Sequence, residues 1–358
     1  MPGKRLAVLQ TLPVAERPCP YGRGVRPEGR QKSFPGHEAA GTALNQAFSR
    51  PTRFLAEGGC AQKYTRRALE TEPHIPCVTI DYLMERYQAF LLDGYGVLVD
   101  AVEALPGAQA FVERLRAAGK EILLLSNDAS RLPSTSSERY RKLGVDLTPE
   151  QILTSGQLLA DYFAAQGLRG KRCIVLGTAD SKEYTRLAGG VVVPATDDKA
   201  EVIVIADDDD YPFLETINDA VSVLMRRLSR GQATHLVMPN PDVVFPRGRD
   251  SFGICSGAIA ALFECAARLR EPSGSVRAIP LGKPHRPMFE AAARRLSARE
   301  KRAMVMIGDQ LGADILGANN FGIDSVLILT GLGRASEIAR APARPTYILP
   351  DLCGDRTT

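Results

Sequence analysis

The sequence predicts an α/β protein organised on a parallel sheet. From about residue 77 onward, short apolar runs alternate with amphipathic stretches, the pattern of successive βαβ units. The chain has 358 residues, 44% hydrophobic and 24% charged, with a formal net charge of +4, which is the profile of a soluble globular protein with room for two domains or one carrying an insertion. Seven cysteines (Cys19, Cys60, Cys77, Cys173, Cys255, Cys265 and Cys353) are scattered without a C-x-x-C spacing, so neither a disulfide framework nor a zinc site is expected, and a reducing cytoplasm fits. The apolar stretch from Leu6 to Ala15 is broken by Gln10, Thr11 and Pro13, and no run approaches the roughly 18 apolar residues of a membrane span. Neither a membrane helix nor a secretory signal is expected.

Residues 1–76 read differently from the rest. Up to residue 75 there are 12 Lys/Arg against 6 Asp/Glu, with 8 Pro and 8 Gly and no sustained period, so a disordered basic extension is expected. Its arginines are interrupted by Pro, Gly and Glu, and no nucleic-acid stripe is read from them. Beyond it, strands are expected at Gln88–Leu92, Glu121–Leu125, Cys173–Leu176, Val202–Ile205, Leu236–Met238, Ala278–Leu281, Met304–Ile307 and Ser325–Leu329. Helices are expected at Ala108–Ala118, around Ser137–Leu143 and from near Phe213. The terminal stretch 351–358 reads as a frayed tail.

Ligands of open parallel sheets sit outside the carboxyl ends of the strands, so the polar residues that follow each apolar run carry the functional signal. Asp93 follows Ala89–Leu92, and Ser126 and Asn127 follow Ile122–Leu125. Gly282 and Lys283 follow Ile279–Leu281, and Gly308 and Asp309 follow Val305–Ile307, with Asp314 five residues on. Carboxylates, a hydroxyl, an amide and an ammonium form the set that phosphoryl transfer requires: a nucleophile, oxygen ligands for a hard cation, and donors for the phosphoryl oxygens. Taken singly, each residue could be a helix cap or a solvated loop group; it is their joint occurrence at four strand ends that argues for function.

The ordered blocks LLDGYGVL, LLLSN, GKPHRPMFEAA and GDQLGADILGANNFGID resemble the haloacid dehalogenase superfamily, and the last two resemble its subclass IIA, the NagD-like phosphatases. The resemblance spans about residues 80–335, including NPDVVFPRG at 240–248. It implies a Rossmann-like core over 77–154 and 263–350, with an α/β cap domain inserted over 155–262. It implies Asp93 as the nucleophile of an aspartyl-phosphate, a magnesium ion on Asp93, the Tyr95 backbone carbonyl and Asp309 with Asp314 in support, and Ser126, Asn127 and Lys283 around the phosphoryl group. Asn240 and Asp242 would face the site from the cap. The implied partner is a small phosphorylated metabolite, with no nucleic acid or membrane, and a homodimer through the cap is the assembly it suggests.

One position departs from that pattern. Phosphatases of the family carry a second aspartate two residues after the nucleophile as the proton donor and acceptor, and here that residue is Tyr95. A phenol is a poor base near neutral pH. Three readings stay open on the sequence: a phosphatase with slower proton transfer; a metal-independent dehalogenase-like hydrolase, whose halide leaves without a proton; and a ligand-binding relative that has lost the chemistry. Asp207–Asp210 reads as a solvated turn, Cys255 as a buried structural thiol, His285 as a loop residue bonded locally or to substrate, and Gly331–Gly333 as a weak nucleotide-loop signal.

Overall fold

A computed structural model describes residues 75–353, except 101, 249–250 and 299. The expected basic extension thus falls almost wholly outside the described residues, as do 354–358. Within the expected frayed end Leu352 is instead buried, because it joins the apolar cluster that contains Phe111 and Val112. In chain order the strands and α-helices are α1 (Ile80–Arg86), β1 (Ala89–Leu92), α2 (Ala108–Ala117), β2 (Glu121–Ser126), α3 (Pro133–Lys142), β3 (Ile152–Thr154), α4 (Leu158–Gln166), β4 (Arg172–Leu176), α5 (Ala179–Leu187), β5 (Val191–Val193), β6 (Val202–Ile205) and α6 (Phe213–Ser229). They continue with β7 (His235–Met238), β8 (Val244–Gly248), β9 (Ser251–Ile254), α7 (Ser256–Ala267), β10 (Ala278–Pro280), α8 (Arg286–Arg295), β11 (Met304–Gly308), α9 (Leu316–Phe321), β12 (Asp324–Ile328) and β13 (Tyr347–Leu349).

The first sheet is parallel, in the order β13-β12-β11-β1-β2-β3. β1 can occupy its middle because all four residues are apolar and buried, and alternate side chains feed opposite layers. Ala89 and Leu91 join one apolar cluster, and Phe90 and Leu92 the other. β2 and β11 divide in the same way, Leu123 and Met306 to the first cluster and Leu124 and Ile307 to the second. Leu92 pairs in register with both Ile307 and Leu124, so the chain leaves three adjacent strands at one level. β2 and β3 lie to one side of β1 and β11, β12 and β13 to the other, which makes β1 the switch point where a crevice opens.

The second sheet is also parallel, β10-β7-β6-β4-β5, and the β8–β9 hairpin stands as a separate antiparallel pair. Its last strand lies beyond residue 262: Ala278 pairs with Leu236, and the chain passes from there directly to Lys283. One apolar cluster runs from Leu91, Leu123 and Met306 through Leu159 and Phe163 to Val175 and Val204, so the two sheets share core. Among the described residues no helix is long and apolar enough to cross a membrane, and Cys77, Cys173, Cys255 and Cys265 are free thiols.

Candidate active site

The four predicted strand ends converge. Asp93 leaves β1, and the Lys283 ammonium, on the loop after β10, donates to Asp93 Oδ1 at 2.6 Å and to Asp314 Oδ1 at 2.7 Å. Lys283 is only 3% exposed and Asp314 fully buried, so this ion pair sits away from screening water. Asp309 follows β11, and a π-helical turn at Leu311–Ile315 brings Asp314 back beneath it, where Asp314 Oδ2 accepts from the Gln310 amide at 3.1 Å. Asp309 Oδ2 accepts from the Leu332 amide at 2.7 Å, and its backbone carbonyl accepts from the Gly333 amide at 2.9 Å. The loop around Asp309 needs glycine: Gly96 has φ +77°, and a Cβ there or at Gly331 would collide with the Asp309 carboxylate. The Gly331–Gly333 stretch therefore serves this carboxylate, a task its short glycine pattern did not announce.

Three carboxylates share one lysine. Asp93, Asp309 and Asp314 offer oxygens that all lie within 4.8 Å of one another. Burial, with the charges of Asp93 and Asp314, pushes the Asp309 carboxyl up to about 8. Burial likewise pushes Asp314 up to about 7, against the pull of Lys283. Burial also works against the charge on Lys283, but Asp314 and Asp93 outweigh it and hold the ammonium above the ordinary lysine value. Asp309 Oδ1 is buried without any hydrogen-bond partner, a costly state for a carboxylate oxygen. An all-oxygen donor set with surplus negative charge and an orphaned oxygen fits a hard divalent cation.

The remaining predicted residues surround this centre with different tasks. Ser126 ends β2, and its hydroxyl oxygen accepts from the Asp128 amide at 3.1 Å. The Asn127 amide is a knot: Oδ1 accepts from the Lys283 N–H at 2.7 Å, while Nδ2 donates to the Lys283 carbonyl at 3.0 Å and to Asp242 Oδ1 at 2.9 Å. Asp242 thus reaches the centre through Asn127, and burial raises its carboxyl despite that bond. Asn240 faces the other way, accepting from the Asp242 amide and donating to the Cys255 sulfur at 3.0 Å, so it shapes the loop. Cys255 is buried as expected, its thiol pushed up to about 12 by burial. His285 caps α8 without a side-chain hydrogen bond, and burial lowers its pKa.

One finding adds to the sequence reading and one differs from it. The Tyr95 side chain is 45% exposed, and its hydroxyl accepts a hydrogen bond from Arg139 of α3, a residue that no motif flagged. Asp207 is not a solvated turn residue: it is partly buried, and burial and then the charge of Asp128 raise its carboxyl to about 6. β6 is buried along its whole length and carries its first following carboxylate inward with it.

A buried carboxylate–lysine centre at the switch point of an open parallel sheet defines an α/β enzyme suited to phosphoryl chemistry. The family profile described as haloacid dehalogenase-like hydrolase matches residues 90–190, and a second, HAD-hydrolase-like, matches 280–354. The chain is 30% identical over 263 residues to the dihydroxyacetone phosphatase of Corynebacterium glutamicum, covering 73% of this chain and 88% of that one. It is 27% identical over 269 residues to an acid sugar phosphatase of Staphylococcus aureus, covering 75% and 96%. The crystal structure of a possible sugar phosphatase from Cytophaga hutchinsonii superposes with a TM-score of 0.68 at 28% identity, covering 79% of this chain and all of that one. The chain belongs to the haloacid dehalogenase-like hydrolases, in the NagD-like phosphatases of subclass IIA. It is a hydrolase of the phosphoric-monoester kind.

Proposed function

We propose that this chain is a magnesium-dependent phosphatase of small phosphorylated metabolites, with triose and sugar phosphates foremost, working in the cytoplasm through an aspartyl-phosphate on Asp93. The observation that carries the reading is the Lys283 ammonium held between Asp93 and Asp314, beside an Asp309 oxygen that lacks a partner. Asp93 attacks phosphorus, the ester bond breaks, and water then hydrolyses the acyl-phosphate to return Asp93. Lys283 aligns Asp93 and neutralises charge on the phosphoryl oxygens. The Ser126 hydroxyl donates to those oxygens, and Asn127 acts by fixing the Lys283 backbone. Asp93, Asp309 and the Tyr95 carbonyl would hold magnesium, with Asp314 behind them; bound there, it supplies positive charge that lowers the barrier to attack.

In this reading the first sheet is the catalytic core and the second sheet, with its hairpin, the inserted cap. Asp242, at the cap's edge, bonds Asn127 and so links substrate closure to the lysine loop. The names of the relatives support the substrate class: dihydroxyacetone phosphatase and acid sugar phosphatase. Phosphate release by the full chain from dihydroxyacetone phosphate and from 4-nitrophenyl phosphate tests the proposal. Turnover is expected with magnesium and is lost with a chelator and in Asp93→Asn. Turnover that is indifferent to both would sink it.

A further inference from the structure

Tyr95 occupies the position at which this family's phosphatases keep their proton-transferring aspartate, and the structure gives it a partner. Arg139 donates to the phenolic oxygen and lays its guanidinium over the Tyr95 ring, 5.1 Å from the centroid. Arg139 has no carboxylate within ion-pair distance among the described residues, so the phenol and the rings of Tyr95 and Tyr140 are its company. The helix that carries it is pinned to the nucleophile loop. Tyr140, its neighbour, is buried, and a Cβ at Gly94 would collide with the Tyr140 hydroxyl. Arg139 is therefore set at a fixed place relative to Asp93.

The direction of that hydrogen bond matters. A guanidinium has donors and no acceptor, so the Tyr95 oxygen must accept and its own hydrogen is left to be given elsewhere. No acceptor for that hydrogen occurs among the described residues. Resting on the phosphatase reading above, we propose that Tyr95 and Arg139 form a hydrogen-bond-donating clamp for the leaving group: the Tyr95 hydroxyl contacts the departing oxygen, and Arg139 is its positioning residue. The P–O ester bond breaks as Asp93 bonds phosphorus, and the departing oxygen carries the electron pair away as an oxyanion held by the Tyr95 hydrogen. Solvent water then supplies its proton, and the later hydrolysis of the acyl-phosphate returns a proton to solvent.

A hydrogen-bond donor set at the departing oxygen is felt unequally by different leaving groups. The gain from such a donor grows with the basicity of the departing oxygen, so it counts for little with an acidic phenol and for more with a less acidic hydroxyl.

The test compares 4-nitrophenyl phosphate with phenyl phosphate, whose leaving group is less acidic, in the full chain and in Tyr95→Phe, Arg139→Met and Arg139→Lys. Tyr95→Phe is expected to lower kcat on phenyl phosphate about tenfold, the value of one hydrogen bond, and on 4-nitrophenyl phosphate much less. Arg139→Met should steepen the leaving-group dependence in the same sense, and Arg139→Lys, which keeps a donor, should recover part of it. Variants with the parent's ratio between the two esters would overturn the clamp, whatever their absolute rates. If the parent chain releases phosphate from neither ester, or Asp93→Asn matches it, the phosphatase reading itself has failed.

Discussion

Two strands in this molecule are built alike and end alike. β1 reads Ala-Phe-Leu-Leu and runs into Asp93, while β6 reads Val-Ile-Val-Ile and, after Ala206, runs into Asp207; both are buried throughout, near the middle of a parallel sheet. The difference lies in what the surrounding loops deliver. Around Asp93 the ends of β2 and β11 supply a serine, an asparagine and two further carboxylates, and the loop after β10 of the second sheet supplies a lysine. Around Asp207 the loop after β2 of the first sheet supplies Asp128, already paired with Arg131 at 2.9 Å, and the next residue in the chain is Asp208. A strand-end carboxylate becomes a reactive site when the topology brings it a cation and open coordination; otherwise it is a charge the fold tolerates.

The sharpest way to break the comparison is to remove the cation. Lys283→Met leaves buried carboxylates uncompensated, so we expect loss of phosphatase activity and of about 3–5 kcal/mol of stability, read by phosphate release and urea unfolding. A stable, active variant would mean that Lys283 does not organise the site. Metal linkage sharpens the same point. Asp309 and Asp314 lie near 8 and 7, above the ordinary carboxylate value of about 4. Groups raised in this way contribute stability below pH about 4 that is lost as pH climbs through 7 and 8, because the fold then holds protons the unfolded chain has released. The metal-free chain should thus lose thermal stability from pH 5 to 8. Magnesium at a hundredfold excess over its Kd should add about 2.7 kcal/mol, roughly 5 to 10 °C in Tm, with the larger shift at pH 8; a shift that shrinks with pH would contradict the carboxylate site.

The smallest effect is expected at the other strand. Asp207→Asn relieves repulsion with Asp128 at a partly exposed place, so activity should stay within about twofold and stability rise by up to about 1 kcal/mol at pH 8. Scanning calorimetry at pH 5 and 8 with a parallel rate assay checks it. A large loss of activity would make Asp207 a working part of the site and dissolve the contrast with Asp93.

Much of this was legible in the sequence for a physical reason. β1, β2, β6 and β11 are flanked on both sides by strands, so they read as unbroken apolar runs, and the residues that follow them stand out. β3, β5 and β13 have three residues each, too few for a period to declare itself. The β8–β9 hairpin leaves Val244, Phe252 and Ile254 exposed, so burial imposes no pattern there. Tyr95 was visible as a departure, but its partner was not. Arg139 sits on a polar helix among Ser, Glu and Lys, where only the folded chain shows it to be set apart.

Covalent chemistry at Asp93 is checked by quenching the full chain in acid during turnover of 4-nitrophenyl phosphate with magnesium and mapping its peptides by mass spectrometry. A phosphoryl group is expected on the peptide that contains Asp93, absent with a chelator and absent in Asp93→Asn. Turnover with no phosphorylated peptide, or with the label on another residue, would contradict it.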